Sequence, residues 1–313
     1  MLIDGRQYAA DLSASLAGEV EELAQAGVRP GLATVLVGDS YPALAYERRV
    51  RRLADKVGCH YVCEALPGDA VEADALAIVG KLGADPRISG ILILRPLPAQ
   101  VSEASLYRAL DPVKDIESVH PISAGLLALG RPRYVPSTPA SVFHLLDRYL
   151  TESGRDPAQT YLRSNLVVVG RSANVGKPAL MLAMERGATV VSCDEHSHEA
   201  GLLFEHTARA DILVIAAGVP GLIHGEHVKD GVIVIDVGIN AIRDPDTGTV
   251  HLVGDVDTED VAGRAEAITP VPGGVGPITD VWLLRNTVAA ARLARGIGAA
   301  FPSTEGLQLP AIC

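Results

Sequence analysis

Four apolar runs in the second half of the chain limit its fold more than any other feature. "NLVVVG" (165–170), "ATVVSC" (188–193), "ADILVIAAG" (210–218) and "GVIVIDVG" (231–238) are each of strand length and rich in Val and Ile. Runs that are apolar throughout, instead of alternating, belong to strands covered on both faces, as in a parallel sheet flanked by helices. "KPALMLAMERG" (177–187) lies between the first two, with Pro178 in its first turn and Gly187 as its C-cap. The spacing predicts a Rossmann-type half.

The first half carries the same alternation. "GLATVLVGD" (31–39), "CHYVCEAL" (59–66) and "GILILRPLP" (90–98) read as strands. Helical segments over 44–58, 70–85 and 102–110 follow them, giving a βαβαβ series with right-handed crossovers. "LGRPRYVPSTPAS" (129–141) is dense in Pro, Gly and Ser and marks the domain boundary. A helix begins just after it, and a last helix runs from Thr279 to Arg295. We therefore expect an α/β protein of two domains: 1–138 with the returning C-terminal segment 279–313, and 139–278. The tail after Gly296 reads as a loose strap.

With 48% hydrophobic residues in 313, a full core forms without disulfides. A net charge of −11 argues against a nucleic-acid partner. No run approaches the length of a membrane span, and "MLIDGRQYAADL" has no apolar leader. Cys59 and Cys63 have no second cysteine pair near them, so no metal is expected, and the four cysteines read as reduced thiols of a cytoplasmic protein.

Three stretches can carry chemistry. "VVVGRSANVGKPA" follows a strand and opens a helix. Gly170 and Gly176 are six apart, which is not the dinucleotide fingerprint, yet a glycine turn still lets backbone approach a phosphate at a helix N-terminus. Arg171 and Ser172 add donors there, and a plain βα turn is the competing reading. "SCDEHSH" ends the second strand of that half. Asp194 and Glu195 favour NAD, whereas Arg171, His196 and Ser197 favour NADP, and a solvated loop is the third possibility. "TPVPGGVGPIT" (269–279) packs three prolines and three glycines into a stiff loop with bare backbone, suited to a ligand or to a structural turn. In "DPVKDIES", Asp115 and Glu117 are either a solvated face or carboxylates able to grip an amidine-like edge.

Together these residues resemble the methylenetetrahydrofolate dehydrogenase/cyclohydrolase family over nearly the whole chain. "IDG" (3–5), "VVVGRSANVGKP", "ADILVIAAGVPGLIHGEHVKDGVIVIDVGIN" and "ITPVPGGVGPIT…NT" carry the resemblance. It implies two α/β domains flanking a cleft, a tetrahydrofolate substrate, NADP or NAD on a Rossmann-type C-terminal domain, and a homodimer formed through the cofactor domains. The implied cofactor contacts are Gly170, Arg171, Ser172, Val175, Asp194, His196, Ser197, Ala217, Gly218, Val237, Gly238 and Ile239. The implied substrate contacts are Tyr46, Glu117, Pro272, Gly273, Gly276 and Thr279.

The departures fall in one place. The family's active helix reads Tyr-x-x-x-Lys, and here it is Tyr46 and Val50, with Ala43 in place of a serine. The family glutamine of the third strand is Leu94, followed by Arg95. The folate-gripping Asp is Glu117, the Gly after it is Ser118, and a family cysteine is Ser137. Two or three residues are inserted after Cys193. Lys and Gln act together in the family, and both positions are now aliphatic. The catalytic set is thus Tyr46, Val50, Leu94 and Glu117, two of them emptied of polar function. The expectation is a dehydrogenase with cyclohydrolase activity weak or absent. The alternatives are a folate-linked paralogue in a specialised one-carbon or biosynthetic pathway, and a non-catalytic cofactor- or folate-binding protein.

Overall fold

The computed structural model describes residues 1–243 and 248–297. In chain order its elements are α1 (Gly5–Gln25), β1 (Gly31–Val37), α2 (Tyr41–Val57), β2 (His60–Leu66), α3 (Glu72–Ala84), β3 (Gly90–Ile93), α4 (Glu103–Ala109) and α5 (Pro121–Ala128). Then come α6 (Ser137–Glu152), α7 (Pro157–Tyr161), β4 (Asn165–Val169), α8 (Gly176–Glu185), β5 (Thr189–Cys193), α9 (Glu195–Glu199) and α10 (Leu203–Thr207). The chain continues through β6 (Ile212–Ile215), β7 (Ile233–Asp236), a hairpin of β8 (Asn240–Arg243) and β9 (Val250–Val253), α11 (Thr258–Ala262), β10 (Ala267–Ile268) and α12 (Val275–Ala294).

Two compact units divide these elements. One takes in Met1–Ala9 and Thr138–Thr279, the other Ala10–Ser137 and the stretch from Asp280. The second has a parallel sheet in the order β2-β1-β3. All seven residues of β1 and all four of β3 are buried, as continuous apolar runs require. The first has a five-stranded parallel sheet in the order β10-β7-β6-β4-β5, the doubly wound arrangement the apolar runs predicted. Its core gathers Val167, Leu213, Ile215, Val234 and Ile268 around the strands.

Both sheets share one property that places the chemistry. In each, the first strand has its successor on one side and the third strand on the other, so the order reverses beside it. Ligands of open α/β sheets sit beyond the carboxyl ends of the strands at such a reversal. For the three-stranded sheet that point lies after Val37 and Ile93, and for the five-stranded sheet after Val169 and Ile215.

The structure adds elements that the periodicity did not predict. α1 buries Ala9, Ser13, Leu16, Val20 and Leu23, spaced alternately four and three, and Asp4 accepts from the amide of Arg6 at its start. α5 and the β8–β9 hairpin were likewise unexpected, the hairpin because its strands are exposed and carry no continuous apolar run. α12 begins at Val275, not Thr279, because Pro277 suits a first helical turn. The tail expected as a strap lies, apart from Ile297, outside the described residues. Among the described residues no helix is long and apolar enough to cross a membrane.

Candidate active site

Helix α2 leaves the carboxyl end of β1 and carries Tyr46 and Val50. Ser40 caps it, accepting from the amide of Ala43, Pro42 starts its first turn, and Gly58 ends it at φ +86°. Its buried stripe is Ala43, Glu47, Val50, Ala54 and Val57. Val50 is therefore a core residue with no exposed surface, held by the same spacing that folds the helix. Leu94, the first residue after β3, is 1% exposed, and its amide donates to the carbonyl of Val35 on β1. Val50 and Leu94 are both sealed apolar.

Polar groups surround this apolar pair. Arg49 donates through Nε and Nη2 to the two carboxylate oxygens of Asp280 and lies 5.0 Å from the centroid of the Tyr46 ring. Burial, reinforced by the charges of Asp280 and Glu117, raises the Tyr46 phenol well above its ordinary value. Tyr46 is thus a neutral hydrogen-bonding group at any working pH, not a base. Glu47, buried one turn before Val50, accepts from Arg51 at 2.8 and 2.6 Å and from the hydroxyl of Tyr61 at 3.0 Å.

Glu117 follows the bridge that pairs Ile91 with Asp115. It accepts from the Ser137 amide at 3.2 Å and from the Ser137 hydroxyl at 2.9 Å. Burial pushes its carboxyl up to about 7, against the lowering by Ser137, while Asp115 adds to the rise and Arg95 opposes it. Ser118 sits at φ +52°, the one non-glycine residue with positive φ among those described. Its hydroxyl donates to the carbonyl of Tyr134, which offsets the strain of a left-handed serine. Asn286 on α12 donates to the carbonyls of Ile116 and Val135, both at 2.8 Å, and so ties the Glu117 segment to its neighbour. In the sequence, Asn286 stands only as part of the "NT" that closes the last signature. Nothing in its type marked it as a strut.

In the other unit the turn after β4 fits a dinucleotide phosphate. A Cβ on Gly170 would meet the Ala216 carbonyl oxygen at 2.2 Å, and one on Gly176 would meet that of Gly170 at 2.0 Å. Bare backbone is required there, and it opens helix α8. The Ser172 hydroxyl accepts from the amides of Val175 and Gly176 at 3.2 and 3.3 Å, shaping the turn. Arg171 reaches across to the end of β5 and pairs with Asp194 at 2.7 Å. Asp194 caps α9 through the Ser197 amide, and His196 stands exposed beside Glu195 and Glu199.

Ala217 and Gly218 follow β6, and Val237, Gly238 and Ile239 follow β7, so both sets reach the carboxyl edge of the sheet. Two buried carboxylates that the sequence reading passed over organise them. Asp255 accepts from the amides of Ala217 and Gly218 at 2.7 and 2.8 Å and from Asn240 Nδ2 at 2.8 Å. Asp236 accepts from the amides of Gly238, Asp255 and Val256 at 2.9, 3.2 and 3.0 Å. Burial, with Asp255 adding, pushes Asp236 up to about 7 against those amide donors. A carboxylate inside "GVIVIDVG" and another in "GDVD" were the available signals, since buried acids need partners.

The Pro–Gly loop is held by the chain's first residues. The Gly5 amide donates to the Gly273 carbonyl at 2.9 Å, and Arg6 donates to that of Pro272 at 3.2 Å. Two expected substrate contacts lie in α12. Gly276 lies in the first turn of α12, and Thr279 lies within that helix, donating to the Val275 carbonyl at 3.2 Å. A helical hydroxyl of this kind bonds its own preceding turn.

Family models match both units. The catalytic-domain model of the tetrahydrofolate dehydrogenase/cyclohydrolases covers residues 3–117, and their NAD(P)-binding-domain model covers 136–295. The chain is 63% identical over 306 residues to "Bifunctional protein FolD 2" of Rubrobacter xylanophilus, covering 97% of this chain and 94% of that one. It is 65% identical over 292 residues to "Bifunctional protein FolD 3" of the same organism, covering 93% and 92%. Among solved structures it is similar to the methylenetetrahydrofolate dehydrogenase-cyclohydrolase of Trypanosoma brucei complexed with NADP and an inhibitor. That match has a TM-score of 0.86 at 32% identity and covers 96% and 99% of the two chains.

Proposed function

Since the chain belongs to the tetrahydrofolate dehydrogenase/cyclohydrolase family, we propose that it oxidises 5,10-methylenetetrahydrofolate with a nicotinamide cofactor and hydrolyses the methenyl product slowly or not at all. The observation that supports the second half is the sealing of Val50 and Leu94, at 0% and 1% exposure. Hydride transfer depends mainly on orientation, because the folate nitrogen lone pair expels the hydride that the bound nicotinamide accepts. Hydrolysis needs a group to activate water and manage its proton, help worth about 10²–10⁴-fold.

The side chains around the sealed pair are poorly placed to supply that help. Tyr46 stays a phenol. Arg49 is held by Asp280, and a guanidinium does not accept protons. Glu47 is engaged by Arg51 and Tyr61. Glu117 grips the amidine-like edge of the pterin as a carboxylate, and Tyr46 packs against its rings.

In the other unit, Gly170 and Gly176 leave room for the dinucleotide, and the loops ordered by Asp236 and Asp255 hold its nicotinamide end. The "bifunctional" names of the relatives point the other way on hydrolysis, so the test is direct. Oxidation should be measurable as NAD(P)H formation, and enzyme-dependent loss of methenyltetrahydrofolate should stay near the spontaneous rate. Robust hydrolysis by the unmodified protein would falsify the second half alone. Absence of both activities with folate still bound would shift the assignment to a specialised paralogue.

Self-association accompanies this reading. Val250 and Leu252 share one face of the β8–β9 hairpin with Ala241 and are 53% and 46% exposed, an apolar patch that supports a homodimer through the cofactor units. Light scattering should give twice the chain mass. The free thiols Cys59, Cys63 and Cys193 support a cytoplasmic setting.

A further inference from the structure

We infer that Asp194 makes this enzyme select NAD over NADP, which rests on the cofactor reading above and sharpens it. Three side chains were candidates to receive the extra phosphate of NADP, and each already faces a carboxylate. Arg171 commits one N–H of each guanidinium nitrogen to the end of β5: Nε to the Ser192 hydroxyl at 2.8 Å, Nη2 to the Ser192 carbonyl at 2.8 Å, and Nη1 to Asp194 Oδ2 at 2.7 Å. Ser197 donates its hydroxyl to Asp194 Oδ1 at 3.0 Å, and the same hydroxyl accepts from the Asp194 amide at 3.2 Å. His196 lies 3.4 Å from Glu199 and 4.0 Å from Glu195.

The charge around this corner is therefore wrong for a phosphate. Arg171 supplies one cation, and Asp194, Glu195 and Glu199 supply three carboxylates. A ribose phosphate would reach only the two N–H groups Arg171 has left, or else break the Arg171–Asp194 pair, and in either case would lie beside the Asp194 carboxylate. A ribose with two free hydroxyls meets no such cost. It donates to Asp194, whose Oδ2 has a lone pair left after Arg171.

The position of Asp194 is also that of a ribose acceptor. It is the first residue after β5, the Gly170 amide donates to the carbonyl of the preceding residue, Cys193, at 2.8 Å, and it stands about 20 residues past the glycine turn. Its own geometry is fixed, because the Ser197 amide donates to Oδ1 at 3.1 Å and Arg171 holds Oδ2. Arg171 thus acts as a positioning residue for Asp194 and not as a phosphate clamp.

The test is a comparison of NAD with NADP on the whole protein, both as kcat/KM for methylenetetrahydrofolate oxidation and as binding of NADH and NADPH read by fluorescence. NAD should be favoured by roughly tenfold or more, the worth of one hydrogen bond to a charged group. Asp194→Asn keeps a good helix cap, frees the guanidinium, and should move the NAD/NADP ratio towards NADP by about tenfold or more. Arg171→Ala added to Asp194→Asn should erase that gain, whereas Arg171→Ala alone should leave NAD preferred. An NADP preference in the unmodified protein, or an unchanged ratio in Asp194→Asn, overturns the inference. Binding of neither reduced cofactor overturns the cofactor reading beneath it, and selectivity with it.

Discussion

The two sheets place their functional residues by the same rule and fill the places oppositely. At the reversal of the five-stranded sheet, the loops are tied by buried carboxylates, Asp236 and Asp255, each with every oxygen engaged by amide donors. At the reversal of the three-stranded sheet, Leu94 directly after β3 and Val50 on the helix after β1 are fully buried and carry no polar side-chain atom. Burying a polar group is tolerable when all its bonds are made, and removing both members of a pair is tolerable where removing one is not. The cofactor side keeps complete networks. Around Val50 and Leu94 no polar network is required, because neither side chain has a polar atom to satisfy.

The largest effect should come from rebuilding that pair. Val50→Lys with Leu94→Gln should raise methenyltetrahydrofolate hydrolysis by at least about tenfold, a fraction of the 10²–10⁴ that acid–base help can supply. Val50→Lys alone puts an unpaired ammonium into the core and should cost several kcal/mol of stability, seen as a large drop in Tm. If the single change were as stable as the double one, the two positions would not be coupled and the contrast would lose its basis.

The next effect tests the opposite side. Asp255→Ala leaves the Ala217 and Gly218 amides and Asn240 without their acceptor, at about 1–3 kcal/mol. The KM for the nicotinamide cofactor should rise by roughly tenfold or more, with the folate KM little changed. A fall in kcat with both KM values intact would mean that Asp255 serves the fold rather than the cofactor loops.

A pH titration separates the units further. Glu117 and Asp236 both have folded values near 7, above their ordinary values of 4.5 and 3.8. Between those limits the folded chain binds more protons than the unfolded one, so these groups make stability fall as pH rises towards 7. Folate binding should respond in the opposite sense, because a pterin edge needs the Glu117 carboxylate. The folate KM should fall as pH rises through about 7, and Glu117→Gln should abolish that dependence. A cofactor KM that tracked the same titration would assign it to Asp236 instead.

What could be read from the sequence follows from range. Strands β4 to β7 were legible because apolar runs report local burial, and Val50 because one residue spacing fixes a helix face. Asp236 and Asp255 were not, since their partners lie up to 38 residues away and only the fold brings those amides to the carboxylates. The same holds for Arg49 with Asp280, which are 231 residues apart. The start of α12 was placed four residues late, at Thr279, for a local reason: proline in a first helical turn reads like proline in a loop.

The smallest predicted effect concerns Ser118, beside the Glu117 carboxylate. A left-handed serine costs about 1–2 kcal/mol relative to glycine, and its hydroxyl bond to Tyr134 returns about 0.5–1.5 kcal/mol. Ser118→Gly loses the bond and relieves the strain, so its Tm should stay within a degree or two of the unmodified protein's. Ser118→Ala loses the bond and keeps the strain, so it should be less stable by roughly 1 kcal/mol. Its folate KM should also rise, because the neighbouring Glu117 would lose part of its anchorage. If alanine and glycine behaved alike, strain at φ +52° would not be what the hydroxyl offsets. Serine and glycine would then be interchangeable at this position.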